Sequence, residues 1–381
     1  LVTTATIVSD TRELEVLAER FSAAPAIGVD TESDSFHAYR EKVCLLQIST
    51  EDADFLVDPI VLPDLAPLRT IFADRRIRKV FHAADNDVAG LRRDFNFDTR
   101  NLFDTMAASR ILGLPRYGLG DLLLEHFGVE SDKRLQRYEW GRRPLSPLAV
   151  DYAATDSRHL IRLMQILQLR LEEEGRTAEA EEEFLRLESA TVRERLFDPE
   201  GWRRIKGTQT LAPIERAVLR ELYVWRDGQA ASLDRPPFRV APDAALVALA
   251  VAQPRDAGAL SQVSGLPDSI AQRYGSRLLA AVARGLEATP PEVRRSARPD
   301  DAVVERYEAL RRWRRLKAGE RGVQPDVIVS NAVLQSVAEQ RPYSIADLAA
   351  LGVLGPWKLE TYGSELIEAL GSTQPGPLLT S

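Results

Sequence analysis

The sequence predicts an α/β domain with a mixed sheet flanked by helices, followed by two small all-α domains. Three observations predict it. Residues 1–170 alternate short apolar runs with amphipathic stretches. Residues 171–207 are highly charged and helix-forming. The remainder repeats one pattern of leucine, proline and tyrosine twice.

In chain order, Thr11–Phe21 has helical periodicity, and Ala26–Asp30 reads as a short buried strand that turns polar at its end. Val43–Ser49 and Ala53–Val57 are strand-like and close enough together to form hairpins, so the sheet is expected to be mixed. Asp64–Phe72 reads as a helix and Arg78–Phe81 as a strand. Ala84–Phe95 is a helix with an apolar stripe of Val88, Leu91 and Phe95. Leu102–Leu112 and Leu119–Phe127 also read as helices. A further helix runs through Leu148–Leu163. The stretch 171–207 reads as a helical connector whose acids and bases mostly form a solvated face. Beyond it, Leu246, Pro254, Leu260 and Tyr274-Gly-Ser-Arg-Leu recur at the same spacings as Leu334, Pro342, Leu348 and Tyr362-Gly-Ser-Glu-Leu. Two copies are too few for a solenoid. The expected domains are therefore 1–170, a connector at 171–207, helical domains at 208–289 and 301–372, a linker at 290–300 and a tail at 373–381.

Composition narrows the class. A chain of 381 residues suits two or three domains, and 44% hydrophobic with 28% charged residues is globular. No apolar run approaches the roughly 18 residues that span a bilayer, and no signal-peptide pattern is present. One cysteine, Cys44, excludes an internal disulfide and reads as a buried filler. With four histidines it leaves no zinc site of ordinary spacing. These features point to a cytoplasmic protein with no membrane partner and no evident obligatory protein partner. The net charge of −7 argues against a tight, indiscriminate binder of duplex DNA.

Five residues carry the chemistry. Asp30 and Glu32 are two apart on a strand and project to one face. Tyr152 and Asp156 are four apart on a helix and share a face. Asp87 lies four before Leu91, on the inward side of its helix; Asp85 falls elsewhere and reads as a helix-start residue. Acids that converge without matching bases suit hard divalent cations such as Mg²⁺ or Mn²⁺. Two such ions about 3.5–4 Å apart cleave phosphodiesters by in-line attack of water. Tyr152 is not a ligand in that scheme; its hydroxyl suits holding the water.

With these residues in hand, the chain resembles the ribonuclease D family of 3′–5′ exonucleases, whose motifs supply Asp, Glu, Asp and Asp. Tyr152-x-x-x-Asp156 resembles the tyrosine subclass. Val43-Cys-Leu-Leu-Gln-Ile-Ser, Phe103-Asp-Thr and Tyr138-Glu-Trp-Gly-Arg-Arg-Pro-Leu-Ser are further family-like stretches. The resemblance implies a ribonuclease-H-like layered sheet. It implies that Asp30, Glu32 and Asp156 hold one metal, that Asp30 reaches the second, and that Asp87 helps through water. The helical repeats resemble the HRDC domain, an accessory that often helps bind nucleic acid.

The expected activity is removal of nucleotides from RNA 3′ ends, with release of nucleoside 5′-monophosphates; family precedent points to precursors of transfer RNA. Alternatives are a 3′–5′ DNA exonuclease in repair, with single-stranded DNA as substrate, and a non-catalytic nucleic-acid-binding protein. Arg311, Arg312, Trp313, Arg314 and Arg315 form the most basic cluster. It reads either as a phosphate clamp with a stacking ring, or as an amphipathic helix with Trp313 and Leu316 buried and its arginines merely wet.

Overall fold

The computed structural model of the chain describes residues 5–62, 64–130, 135, 137–191, 197–292 and 300–371. The expected tail at 373–381, most of the expected linker, and Arg193 and Arg195 of the connector lie outside them. The chain falls into two compact units. One comprises Leu1–Glu32, Val43–Val192 and Ala297–Ser381; the other comprises Ser33–Lys42 and Arg193–Ser296.

The first unit is built on six strands: β1 (Thr6–Val8), β2 (Ala26–Ser33), β3 (Val43–Ser49), β4 (Asp54–Val57), β5 (Arg78–Phe81) and β6 (Leu102–Asp104). Their order is β1-β4-β3-β2-β5-β6. β3 and β4 pair antiparallel, whereas β1 with β4, β2 with β5 and β5 with β6 are parallel. The sheet is thus mixed. Its helices are α1 (Thr11–Ser22), α2 (Ala66–Ala73), α3 (Asp85–Phe95), α4 (Thr105–Ile111), α5 (Leu119–Phe127), α6 (Pro147–Arg158), α7 (Leu160–Glu173) and α8 (Thr177–Glu188). Phe21 of α1, Phe72 of α2, Leu91 of α3, Leu167 of α7 and Phe184 of α8 share one apolar core with Ile27 and Val29 of β2.

The stretch Leu102–Leu112 is not one helix. Leu102 and Phe103 pair with Lys79 and Val80 as strand β6. The Asp104 side chain then accepts Ala107 N–H, so α4 begins only after this N-cap. β1 has no counterpart in the sequence reading; three residues give too little periodicity.

The charged stretch after α7 also differs from a solvated connector. Ala180, Phe184 and Leu187 of α8 lie in the core, and the Phe184 ring packs on Phe103 with centroids 4.6 Å apart. Several of its acids have partners. Glu179 is 1% exposed and takes both terminal nitrogens of Arg321. Glu181 binds Arg78 at 2.6 Å. Glu182 accepts Trp357 N–H at 2.6 Å. Arg186 pairs with Glu183 and Asp85.

The second unit holds the first helical repeat: α9 (Pro213–Ser232), α10 (Pro237–Val240), α11 (Asp243–Ala252), α12 (Ala257–Ser261) and α13 (Asp268–Glu287). Trp202, Leu222, Leu246, Leu260 and Leu278 are in its core. The second repeat comprises α14 (Asp301–Arg321), α15 (Pro325–Ile328), α16 (Asn331–Gln340), α17 (Ile345–Ala350) and α18 (Pro356–Gly371). Its core includes Leu310, Leu334, Leu348 and Leu366. This repeat belongs to the first unit. The Arg321–Glu179 pair, the Glu182 cap on α18 and the Arg110–Asp326 pair at 2.5 Å hold it there. No helix among the described residues is long and apolar enough to cross a membrane.

Candidate active site

β2 delivers two acids from a buried strand. Ile27 and Val29 point into the apolar core, while Gly28, Asp30 and Glu32 share the other face. Gly28 is needed there: a Cβ would stand 2.5 Å from the Ser157 carbonyl of α6. That close approach lays α6 across the strand. α6 starts cleanly, with Ser146 accepting Ala149 N–H and Pro147 in the first turn. Its far end is pinned by polar bonds. Arg158 Nε donates to the buried Asp54 at 2.6 Å. Ser49 Oγ donates to Asp54 at 2.8 Å, so the 2.7 Å bond between Ser157 and Ser49 is donated by Ser157. Tyr152 and Asp156 are fixed by this helix.

The result is a tight acidic cluster. Carboxylate oxygens of Asp30, Glu32 and Asp156 lie within 4.8 Å of one another, and all three residues are half-buried. Asp87 adjoins them, 8% exposed, on the first turn of α3. Its Oδ1 accepts Thr31 N–H at 3.1 Å and Thr31 Oγ1–H at 2.5 Å. The Tyr152 hydroxyl donates to Asp156, and the ring leans on Trp140 with centroids 6.2 Å apart. Asp85 lies outside the cluster, exposed and paired with Arg186.

The electrostatics follow from this crowding. Burial, then the charges of Asp87, Asp156 and Glu32, hold Asp30 well above the usual carboxylate range. Burial, followed by Asp156 and Asp87, pushes Glu32 up to about 9. Burial lifts Asp87 and Asp156 to about 7. Tyr152 is raised by burial and by the neighbouring acids, so its phenol stays neutral and can donate or orient but not act as a base. Converging carboxylates that resist ionisation fit a site for cations. The donors are all oxygen, which suits Mg²⁺ or Mn²⁺. Asp30, Glu32 and Asp156 are the residues placed to hold such an ion.

Residues 5–172 match the family described as 3′–5′ exonuclease, and residues 215–282 and 304–370 each match the HRDC domain. The curated ribonuclease D of Granulibacter bethesdensis is 30% identical over 374 residues, covering 95% of this chain and 91% of that protein. The chain belongs to the ribonuclease D family. It is a 3′–5′ exoribonuclease. Among solved structures, the catalytic core of RRP6 from Trypanosoma brucei is similar with a TM-score of 0.69 and 27% identity, covering 75% of this chain and 80% of that one. Escherichia coli RNase D, described as an exoribonuclease involved in structured RNA processing, is similar in fold, with a TM-score of 0.70 at 23% identity over 97% of this chain.

The basic cluster of this ribonuclease D family member is not one exposed face. Arg314 is buried, with its guanidinium bonded to Val329 O at 2.8 Å and Asn331 Oδ1 at 2.7 Å. Trp313 is half-buried, donates to Glu365 and packs edge-on against Tyr362. Both side chains belong to the domain's interior and do not belong to an exposed basic face. The amphipathic alternative also fails in part, because Leu316 is 71% exposed. Arg312 and Arg315 remain exposed, and Arg311 pairs with Glu308 at 2.8 Å.

The sequence gives no role to Thr31, and Asp104 stands in it only as part of the family-like Phe103-Asp-Thr. Thr31 stands between two acids, and its bond to Asp87 runs from β2 to α3. Asp104 had a signal: Asp followed by Thr at the start of a helical run is an N-cap pattern.

Proposed function

We propose that this chain removes nucleotides from RNA 3′ ends by two-metal hydrolysis, with Asp30, Glu32, Asp87, Tyr152 and Asp156 as its catalytic residues. The observation that carries the reading is the convergence of Asp30, Glu32 and Asp156, from a strand and a distant helix, within 4.8 Å. Asp30, Glu32 and Asp156 would hold one divalent cation, Mg²⁺ or Mn²⁺, and Asp30 with Asp87 would support a second. Bound there, two such ions would acidify the attacking water and stabilise the leaving oxygen. Tyr152 orients that water through its hydroxyl, which burial and then the neighbouring acids keep protonated. Products are nucleoside 5′-monophosphates. Structured stable RNAs, such as transfer RNA precursors, are the proposed substrates, in line with the description of the Escherichia coli enzyme. Exposed Arg312 and Arg315, with Arg311, contribute to RNA binding.

The test is digestion of a 3′-labelled RNA with Mn²⁺, alongside a matched DNA. Asp156→Asn should abolish mononucleotide release while melting near the parent. Tyr152→Phe should lower kcat by about 100-fold, with KM little changed. Near-parental release by a folded Asp156→Asn protein would refute the assignment, and faster digestion of the DNA would overturn the RNA preference.

A further inference from the structure

Between Phe81 at the end of β5 and Asp85 at the start of α3, the chain reverses through His82, Ala83 and Ala84. Ala83 has a φ of +64°, in the left-handed region that residues with a Cβ rarely enter. Such a conformation persists where its surroundings impose it. Here the junction of β6 and α4 imposes it. The buried Asp104 carboxylate accepts Ala84 N–H at 2.7 Å with one oxygen and Ala107 N–H at 2.7 Å with the other. The nearby amides of Ala83 and Met106 also favour its charged form. One side chain therefore caps α4 and holds the turn before α3. Thr105 adds to the grip. Its hydroxyl donates to Phe81 O at 3.0 Å, which uses its single proton. The 2.9 Å bond with His82 Nδ1 is then donated by the imidazole, so His82 is the Nδ1–H tautomer.

Asp87 sits in the first turn of the helix that this turn launches. Its carboxylate is gripped by Thr31 of β2. Its main chain is aimed by the Ala83 turn. Loosening the turn would let the N-terminus of α3 shift, and with it the distance from Asp87 to Asp30.

We propose that Asp104 is a positioning residue of the nuclease site: it fixes the Ala83 turn, with Thr105, and thereby sets where Asp87 stands. This rests on the reading of Asp87 as a support of the metal site. Asn at position 104 keeps the size but leaves one acceptor oxygen, and its amide nitrogen would face backbone N–H groups. Side chains that orient a metal-site residue from behind are commonly worth about 10–100-fold in metal affinity or activity.

The experiment is calorimetric titration of Mn²⁺ into the full chain, with RNA digestion measured in parallel. Asp104→Asn should weaken Mn²⁺ binding about tenfold and lower kcat by a similar factor, with KM for RNA within about twofold. A merely structural role would lower the melting temperature without moving Mn²⁺ affinity. In an Asp87→Asn background, adding Asp104→Asn should change Mn²⁺ binding no further, because the effect runs through Asp87. A loss of the same size in that background would overturn the inference, as would parental Mn²⁺ binding by a folded Asp104→Asn protein. Should Asp104→Asn fail to fold, Thr105→Val carries the test: about a threefold loss in Mn²⁺ affinity supports the inference, and none overturns it. If Asp87→Asn itself binds Mn²⁺ like the parent, the metal-site reading falls and this inference with it; the two failures are thus distinguishable.

Discussion

At the scale of single residues, the acidic cluster makes pH and metal act on the same free energy. Asp87 and Asp156 keep their protons to about 7 and Glu32 to about 9, and Asp30 is raised as well. The unfolded chain gives up these protons near the ordinary carboxylate values. Above those values the unfolded chain binds fewer protons, so rising pH takes stability from the fold. His82, lowered to about 4, and His159, lowered too, work in the opposite direction, but only below the ordinary 6.5. Lys79, lowered to about 8, opposes the acids only above that pH. Between pH 6.5 and 8 the acids decide. The melting temperature in EDTA should fall across that window, and saturating Mn²⁺ should remove most of the fall. A flat profile in EDTA would contradict the crowding argument. The five residues of the proposed site were legible because strand and helix periods say which side chains share a face. Thr31 was not, since its grip on Asp87 depends on how α3 lies against β2, and no local pattern encodes that.

Among the elements, the helical repeats show how internal symmetry separates structural from exposed arginines. Arg226 and Arg314 stand at equivalent places, each following a tryptophan. Arg226 binds Ala241 O at 3.0 Å and Asp243 at 2.6 Å; Arg314 binds Val329 O and Asn331. Both guanidiniums thus tie the first long helix of a repeat to the loop before its third helix and to that helix's first residue. Arg314→Met should cost about 2 kcal/mol of unfolding free energy in urea, because it strips charge-assisted bonds and leaves Val329 O without that donor. Replacing Arg312 and Arg315 by alanine should change stability by less than about 0.5 kcal/mol. If they touch phosphates, that double change should instead flatten the salt dependence of RNA binding. The distinction could have been read from the repeat, where Trp225-Arg226 lacks a basic cluster yet keeps the arginine. Counting charges along one helix hid it. Similarly, Leu102 and Phe103 suit either period, and only pairing with β5 makes them strand β6.

For the whole molecule, the partition into units follows packing, not sequence order. The helical repeat at 301–371 belongs with the sheet, while Ser33–Lys42, which directly follows Glu32, belongs with the first repeat. Within that second unit, the Tyr39 hydroxyl donates to Asp227 at 2.7 Å and Tyr39 N–H to Asp234 at 3.1 Å. Sequence periodicity marks both repeats but does not tell that the second belongs with the sheet. That depends on single long-range partners such as Arg321 with Glu179.

The place of α8 bears on how the protein can be dissected. The exonuclease match stops at residue 172, before the helix whose Phe184 lies on Phe103 and whose Glu181 meets Arg78. A fragment ending there would present a greasy scar where that helix belongs. It should bind a hydrophobic dye and clump on expression, whereas one extended through Ala190 should take up less dye. Equal dye uptake by the two fragments would mean that the catalytic half heals without its missing rib.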